Sequence, residues 1–208
     1  MRTEATLAQV AAEAAVCKKC ELQYSRKLAV PGEGPMNAEI VFIGEGPGFH
    51  ENEQGRPFVG AAGHFLEELL ASIKMKREEV FITNVVKCRP PGNRDPKLEE
   101  IDACSNYLER QLQAISPKVI VTLGRYSMER FLPNAKIGEV HGQALQARGR
   151  AIVPMYHPAA ALHQASLRKT IEDDFKKLPD WLAKAGEVEE YHADPESKAE
   201  EPAQLSLL

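Results

Sequence analysis

The stretch Glu39-Ile40-Val41-Phe42-Ile43-Gly44-Glu45-Gly46-Pro47-Gly48 decides the fold. Its first half is a short, unbroken apolar run rich in β-branched residues, the pattern of a strand covered on both faces. Its second half turns at once to glycines and a proline, so the strand leaves into a loop whose backbone can approach a ligand closely. Three further runs repeat the strand signal: Val80-Phe81-Ile82-Thr83, Val119-Ile120-Val121-Thr122-Leu123 and Ala151-Ile152-Val153-Pro154-Met155. Helical patterns fall at about 61–74, 97–115 and 125–131, with others at roughly 4–15 and 168–184. Strand and helix alternate, which predicts a parallel sheet. The helix near residue 97 is expected to start with Asp95 as N-cap, Pro96 in first position and Glu99 in its first turn.

Ligands of an open parallel sheet bind beyond the carboxyl ends of its strands, and the unusual segments fall there. The loop after the first strand continues through Phe49-His50-Glu51 to Gly55-Arg56-Pro57-Phe58-Val59-Gly60, and no Gly-Lys-Ser/Thr follows to make it a nucleotide-phosphate loop. The segment from Thr83 to Asp95 puts Asn84 at a strand end, Asn93 in the loop, and Lys87, Arg89 and Arg94 around Cys88. The third segment is His157-Pro158-Ala159-Ala160-Ala161-Leu162. His157, restricted by the following proline at a strand exit, is a candidate site residue; its other reading is a cap on the strand end.

The four cysteines are Cys17 and Cys20, spaced C-x2-C, then Cys88 and Cys104. Such a quartet suits a four-thiolate site in which one tight turn supplies two ligands and remote segments close it. Two disulfides fit poorly in a chain expected to sit in a reducing compartment. Spacing alone leaves zinc and iron-sulfur equally open.

The 208 residues are 43% hydrophobic and 27% charged, enough for one domain with a real core. No apolar stretch approaches a membrane span, and the start lacks the apolar core of a signal peptide, so a cytoplasmic location is expected. Net charge is −4, yet residues 186–208 hold seven acidic residues against Lys198 alone, which leaves the body slightly basic and compatible with DNA. Residues 1–185 read as the folded domain and 186–208 as an acidic, disordered tail. No internal repeat is present.

Taken in order, C-x2-C, GEGPGxxE, GRPFVG, TNVVKCRPPGNRxP, a later cysteine and HPA resemble the iron-sulfur uracil-DNA glycosylases, family 4 of the uracil-DNA glycosylase superfamily, over roughly residues 14–180. The resemblance implies a three-layer α/β/α fold around a four-stranded parallel sheet, and a 4Fe-4S cluster on Cys17, Cys20, Cys88 and Cys104. It implies hydrolysis of uracil from single- and double-stranded DNA to leave an abasic site, the first step of base excision repair, by a monomer associated with the nucleoid. Phe58 is then the stacking ring, core packing being its other reading. Asn84 is the base reader, with a loop cap as its alternative. His157 is the donor to uracil O2. Glu45, helped by the Gly46 backbone, is the stronger catalytic carboxylate. Glu51 lines the pocket where thymine's methyl would sit, with water activation as its alternative. Asn93 orients the water or the carboxylate, or else forms a turn. Lys87, Arg89 and Arg94 are expected to grip DNA phosphates.

Leu162 is the expected wedge into the duplex. Here the chain departs from the family, which often has bulkier residues after His-Pro where this one has alanines. Between Cys88 and Cys104 there is no histidine and no inserted basic loop, so ordinary turnover is expected rather than covalent capture of DNA. The end of the tail, Gln204-Leu205-Ser206-Leu207-Leu208, is similar to the motif by which bacterial repair proteins dock on the sliding clamp. A non-enzymatic iron-sulfur DNA-binding or redox-sensing protein of the same fold is the rival reading. A cousin acting on hypoxanthine or other damaged bases is a third, which Asn84 opposes.

Overall fold

The computed structural model describes residues 2–192. Four strands lie where unbroken apolar runs place them: β1 (Ile40–Gly44), β2 (Phe81–Asn84), β3 (Val119–Leu123) and β5 (Arg150–Met155). These four pair in parallel, β1 with β2 and β3, and β3 with β5. A short strand, β4 (Leu145–Ala147), adds antiparallel to β5, so the sheet is mixed and five-stranded in the order β2-β1-β3-β5-β4. The expected four-stranded, all-parallel sheet is corrected in this respect. Leu145-Gln146-Ala147 carries no apolar run, and what makes it a strand is its hairpin turn: Arg148 and Gly149 both have positive φ, +51° and +72°, the two-residue geometry that matches strand twist.

The helices are α1 (Arg2–Ala15), α2 (Phe49–Gln54), α3 (Ala61–Ser72), α4 (Leu98–Ile115), α5 (Arg125–Glu129), α6 (Ile137–Val140), α7 (Pro158–His163), α8 (Ser166–Phe175) and α9 (Leu178–Ala183). Side chains alternate across the sheet with the strand period of two. Ile40, Phe42, Val121 and Val153 face α3, α8 and α9, where Leu66, Leu70 and Phe175 cover them; Val41, Ile43, Ile120 and Ile152 face α4 and α5, under Leu108, Leu112 and Met128. The result is a three-layer α/β/α body.

Helix α4 begins at Leu98, later than expected. Lys97 precedes it, with its N–H donating to Glu100 at 2.8 Å, and the Asp95 carboxylate instead accepts from the Tyr126 hydroxyl at 2.8 Å. After α9 the chain does not leave the body at 186. Gln146 N–H donates to Glu189 O at 2.6 Å, and Tyr191 N–H to Gln146 O at 2.7 Å. The proposed clamp motif, Gln204, Leu205, Leu207 and Leu208, lies outside the described residues. Among those described, no helix is long and apolar enough to cross a membrane.

Candidate active site

The carboxyl ends of β1, β2 and β5 open into one pocket of about 210 Å³. That is below the ~300–1,000 Å³ typical of sites for drug-sized ligands and suits a single small ring. Its wall includes Glu45, Gly46, Glu51, Phe58, Asn84, Asn93, Arg94 and His157, so eight residues singled out from widely spaced motifs meet in one place.

Asn84 is the last residue of β2, paired in register with Gly44 of β1. A side chain at Gly44 would put its Cβ 2.4 Å from Asn84 Oδ1 and 2.8 Å from the Phe58 ring, which is why the apolar run must end in glycine there. Asn84 is only 1% exposed, and its Oδ1 has no hydrogen-bond partner in the protein. An unpaired buried acceptor costs roughly 1–3 kcal/mol, so a wall that carries one is built for a donor from elsewhere.

His157 follows β5 at the mouth of α7. Its Nδ1 accepts from the Ala159 N–H at 3.1 Å, which leaves the ring proton of the neutral imidazole on Nε2. Burial pulls its pKa down to about 4, against the opposing pull of the Glu51 charge, so the ring is neutral at physiological pH. The Phe58 ring stacks on it, with centroids 5.4 Å apart and planes 25° from parallel.

Phe58 has a φ of +51°, a strained conformation for a residue with a side chain. Its loop is clamped from two sides. Glu51 Oε1 accepts from Val59 N–H at 2.8 Å and Gly60 N–H at 2.9 Å. The Arg77 guanidinium donates to Phe58 O at 3.0 Å and to Pro57 O, and pairs with Glu33 and Glu67. Glu51 is part of the pocket wall, with one carboxylate oxygen engaged in bracing the loop. Arg77 gave no sequence signal, being one cation in a charged turn.

Glu45 follows Gly44 and lies against Gly124, whose φ of +91° and missing side chain make room for it: a Cβ there would stand 2.5 Å from Glu45 Oε1. Burial raises its pKa to about 7, helped by the nearby Asp95 charge and opposed by the Tyr126 backbone N–H. Asp95, which the sequence suggested as a helix cap, is thus a third carboxylate of the pocket wall, beside Glu45 and Glu51.

The cations divide. Lys87 is 1% exposed and donates through Nζ to Thr83 Oγ1 at 2.6 Å, Asn84 O at 2.8 Å and Gln111 Oε1 at 2.8 Å. Its expected phosphate contact is therefore corrected: the side chain points into the body, beneath α4, and does not reach the surface. Burial lowers its pKa to about 7, while three acceptors favour the ammonium. Arg94 binds the buried Glu100 through two nitrogens, at 2.6 and 2.9 Å, and so holds the loop. Arg89 donates from Nε to Asn93 Oδ1 at 2.7 Å. Leu162 on α7 is 49% exposed.

The four cysteines line one small pocket between α1, α4 and the Cys88 loop, and all are free thiols. Lys87 backbone N–H donates to Cys104 Sγ at 3.3 Å, and Arg26 Nη1 to Cys88 Sγ at 3.5 Å. Four soft donors met by N–H groups suit an iron-sulfur cluster. Among the described residues no group of three or more ligating side chains is set to hold a metal ion as it stands.

The pattern of the uracil DNA glycosylase superfamily matches residues 31–183, and the chain belongs to this superfamily. A type-4 uracil-DNA glycosylase of Sulfurisphaera tokodaii is 50% identical, over 83% of this chain and 83% of its own. Another from Archaeoglobus fulgidus is 46% identical, over 86% of this chain and 94% of its own. A type-5 uracil-DNA glycosylase of Pyrobaculum aerophilum is 32% identical over 76% of each chain. Within the superfamily this chain falls among the type-4 members.

Proposed function

We propose that this protein is a monofunctional uracil-DNA glycosylase that adds water across the N-glycosidic bond of deoxyuridine in DNA, releasing uracil and leaving an abasic site. The observation that carries the reading is the unpartnered Asn84 Oδ1, buried in the pocket wall with the His157 and Phe58 rings. Uracil flipped out of the stack offers a ring N–H to that oxygen and a carbonyl, O4, to the amide nitrogen. Cytosine presents the reverse pattern at both positions and would leave the buried amide mispaired, a kind of mismatch that can discriminate by ~10⁴ or more.

As the bond breaks, negative charge collects on uracil and positive charge on the sugar. His157 donates from Nε2 to uracil O2 and stabilises the departing anion as a neutral donor, already oriented by Ala159. Phe58 stacks on the base, held by Arg77 and Glu51. Glu45, with its pKa near 7, accepts a proton from the attacking water or offsets the sugar's charge. Asn93 orients Arg89 at the rim, and Leu162 fills the place of the flipped base.

Cys17, Cys20, Cys88 and Cys104 would hold a 4Fe-4S cluster. When bound, it would brace the loop from Cys88 to Asn93 without taking part in bond cleavage. The tail, ending in Gln204, Leu205, Leu207 and Leu208, would tether the enzyme to a sliding clamp and raise its concentration at DNA; deletion of those residues should abolish co-elution with the clamp and leave uracil release unchanged.

The test is single-turnover incubation of anaerobically purified protein with oligonucleotides carrying uracil opposite guanine, opposite adenine or in a single strand. The parent should release free uracil, His157→Ala should do so roughly 10²–10³-fold more slowly, and Asn84→Asp should also act on cytosine. Absence of release from a cluster-loaded parent would leave the chain as a binding or sensing module.

A further inference from the structure

Phe49 is an exposed aromatic that the pocket does not use. It follows Gly48, a pocket-wall residue, and opens α2, whose next turn is firmly anchored: Glu51 and Asn52 are buried, and Asn52 Oδ1 accepts from Lys27 N–H at 2.9 Å. The helix is thus fixed, yet Phe49 stands 53% exposed at the rim. A solvated phenyl ring on a well-packed helix loses the burial that normally favours it. Over it lies the Arg89 guanidinium, with its carbon 5.3 Å from the ring centroid, and the His50 ring meets it edge-on at 5.5 Å. Arg94 gives its guanidinium to the Glu100 carboxylate, whereas Arg89 gives Nε to the neutral amide of Asn93, so its charge is not cancelled there. Asn93 is itself part of the pocket wall. The rim therefore presents an aromatic face and an uncancelled cation, both held in place, beside the mouth through which a base must enter.

We propose that Phe49 and Arg89 form a second nucleobase subsite, a platform for a base that flanks the uracil, with Arg89 also engaging the adjoining phosphate. The inference rests on the reading of the pocket as a uracil site. Flipping one nucleotide removes the stacking partner of both neighbours, at a cost of a few kcal/mol. An exposed ring beside the pocket restores stacking to one of them, and it does so for any sequence because every base has a π face. A planar guanidinium extends that surface and supplies donors to phosphate. Single-stranded DNA benefits most, since there the flanking base has no opposite strand to hold it.

The experiment uses the full, cluster-loaded chain and a single-stranded oligonucleotide containing 2′-fluoro-2′-deoxyuridine, which resists cleavage, with 2-aminopurine on one side of it or the other. The parent should quench 2-aminopurine fluorescence on one side. Phe49→Ala should lose that quench and bind the strand roughly tenfold or more weakly. Phe49→Trp should retain both. Arg89→Gln should lower the slope of log affinity against log salt by about one. Labelled free uracil, followed by equilibrium dialysis, should bind the parent and Phe49→Ala alike. The subsite is overturned if Phe49→Ala binds and quenches as the parent does, if the parent quenches on neither side, or if Phe49→Ala loses free uracil in step with the oligonucleotide. Should free uracil fail to bind the parent, the pocket reading falls by itself, and the Phe49-dependent quench still decides the rim.

Discussion

Thr83 and Asn84 are neighbours at the end of one strand, and their side chains live in opposite worlds. Thr83 faces α4. Its hydroxyl donates to Pro31 O at 2.8 Å and accepts from Lys87 Nζ at 2.6 Å, and Gln111 completes the group by donating to Pro31 O at 2.8 Å. Asn84 faces the pocket with an oxygen that no protein atom satisfies. The two-residue period of a strand separates them, and the contrast teaches which polar groups hold the fold and which await a ligand. On the α4 side every buried polar atom of this group is used within the chain. On the pocket side the chain leaves a hydrogen bond unmade where a base can make it.

The contrast would break most visibly through activity. Asn84→Ala and His157→Ala should each slow single-turnover uracil release by roughly 10²–10³, the scale for loss of one preorganised donor or reader, with midpoints of chemical denaturation close to the parent's. If Asn84→Ala instead unfolds the protein, the pocket amide belongs to the structural side.

A pH series sharpens the pocket side. Glu45 has a folded pKa of about 7, raised above the ordinary carboxylate value by burial and by Asp95. As the proton acceptor it works in its ionised form, so the rate of release should rise with pH through about 7, and this limb should vanish in Glu45→Gln. His157, neutral above about 4, adds no limb in that range. Stability runs the opposite way, because a raised folded pKa favours the protonated form in the native state. The resulting stability is therefore present below the unfolded pKa and is lost as pH rises through 7. At pH 8 Glu45→Gln should be the more stable protein by up to ~3 kcal/mol, with little difference near pH 4. Equal stability at both values would mean that the carboxylate is not desolvated.

Lys87→Met probes the other face. It leaves Asn84 O and Gln111 Oε1 without their buried donor, which should cost about 2–3 kcal/mol in denaturation. Uracil release per folded molecule should remain near the parent's. A selective loss of DNA affinity without loss of stability would restore Lys87 as a surface contact. The smallest effect expected is that of Arg77→Ala, which frees the Pro57 and Phe58 carbonyls. The stacking loop should then hold free uracil roughly tenfold less tightly, with partial recovery in Arg77→Lys.

Much of this architecture was legible locally. The four parallel strands are unbroken apolar runs covered by helices on both faces, and such runs announce themselves whatever surrounds them. Asn84, Asn93 and His157 stood out because an amide or a proline-restricted histidine at a strand exit is unusual in its own segment, whereas Glu45 and Phe58 were marked by the family resemblance of the motifs that hold them. Other features carried no local signal. β4 has only three residues and no apolar pattern, and it becomes a strand because the Arg148-Gly149 turn folds it back on β5.

The sequence by itself thus determined the four parallel strands, the loops at their carboxyl ends and the residue types that meet there, because periodicity and loop chemistry are properties of short segments. Tertiary structure alone decided which charges are working parts of the fold and which remain available. Lys87 sits in a basic loop, as a DNA contact would, yet Gln111, from a helix formed later in the chain, claims it. Asp95 precedes a helix as a cap would, yet Tyr126 takes it to the side of Glu45. Arg77 acquires a role only where Phe58 is strained above it. A side chain's charge is written in its own residue, but its desolvation and its partners come from segments far along the chain, and those fix where the charge can act.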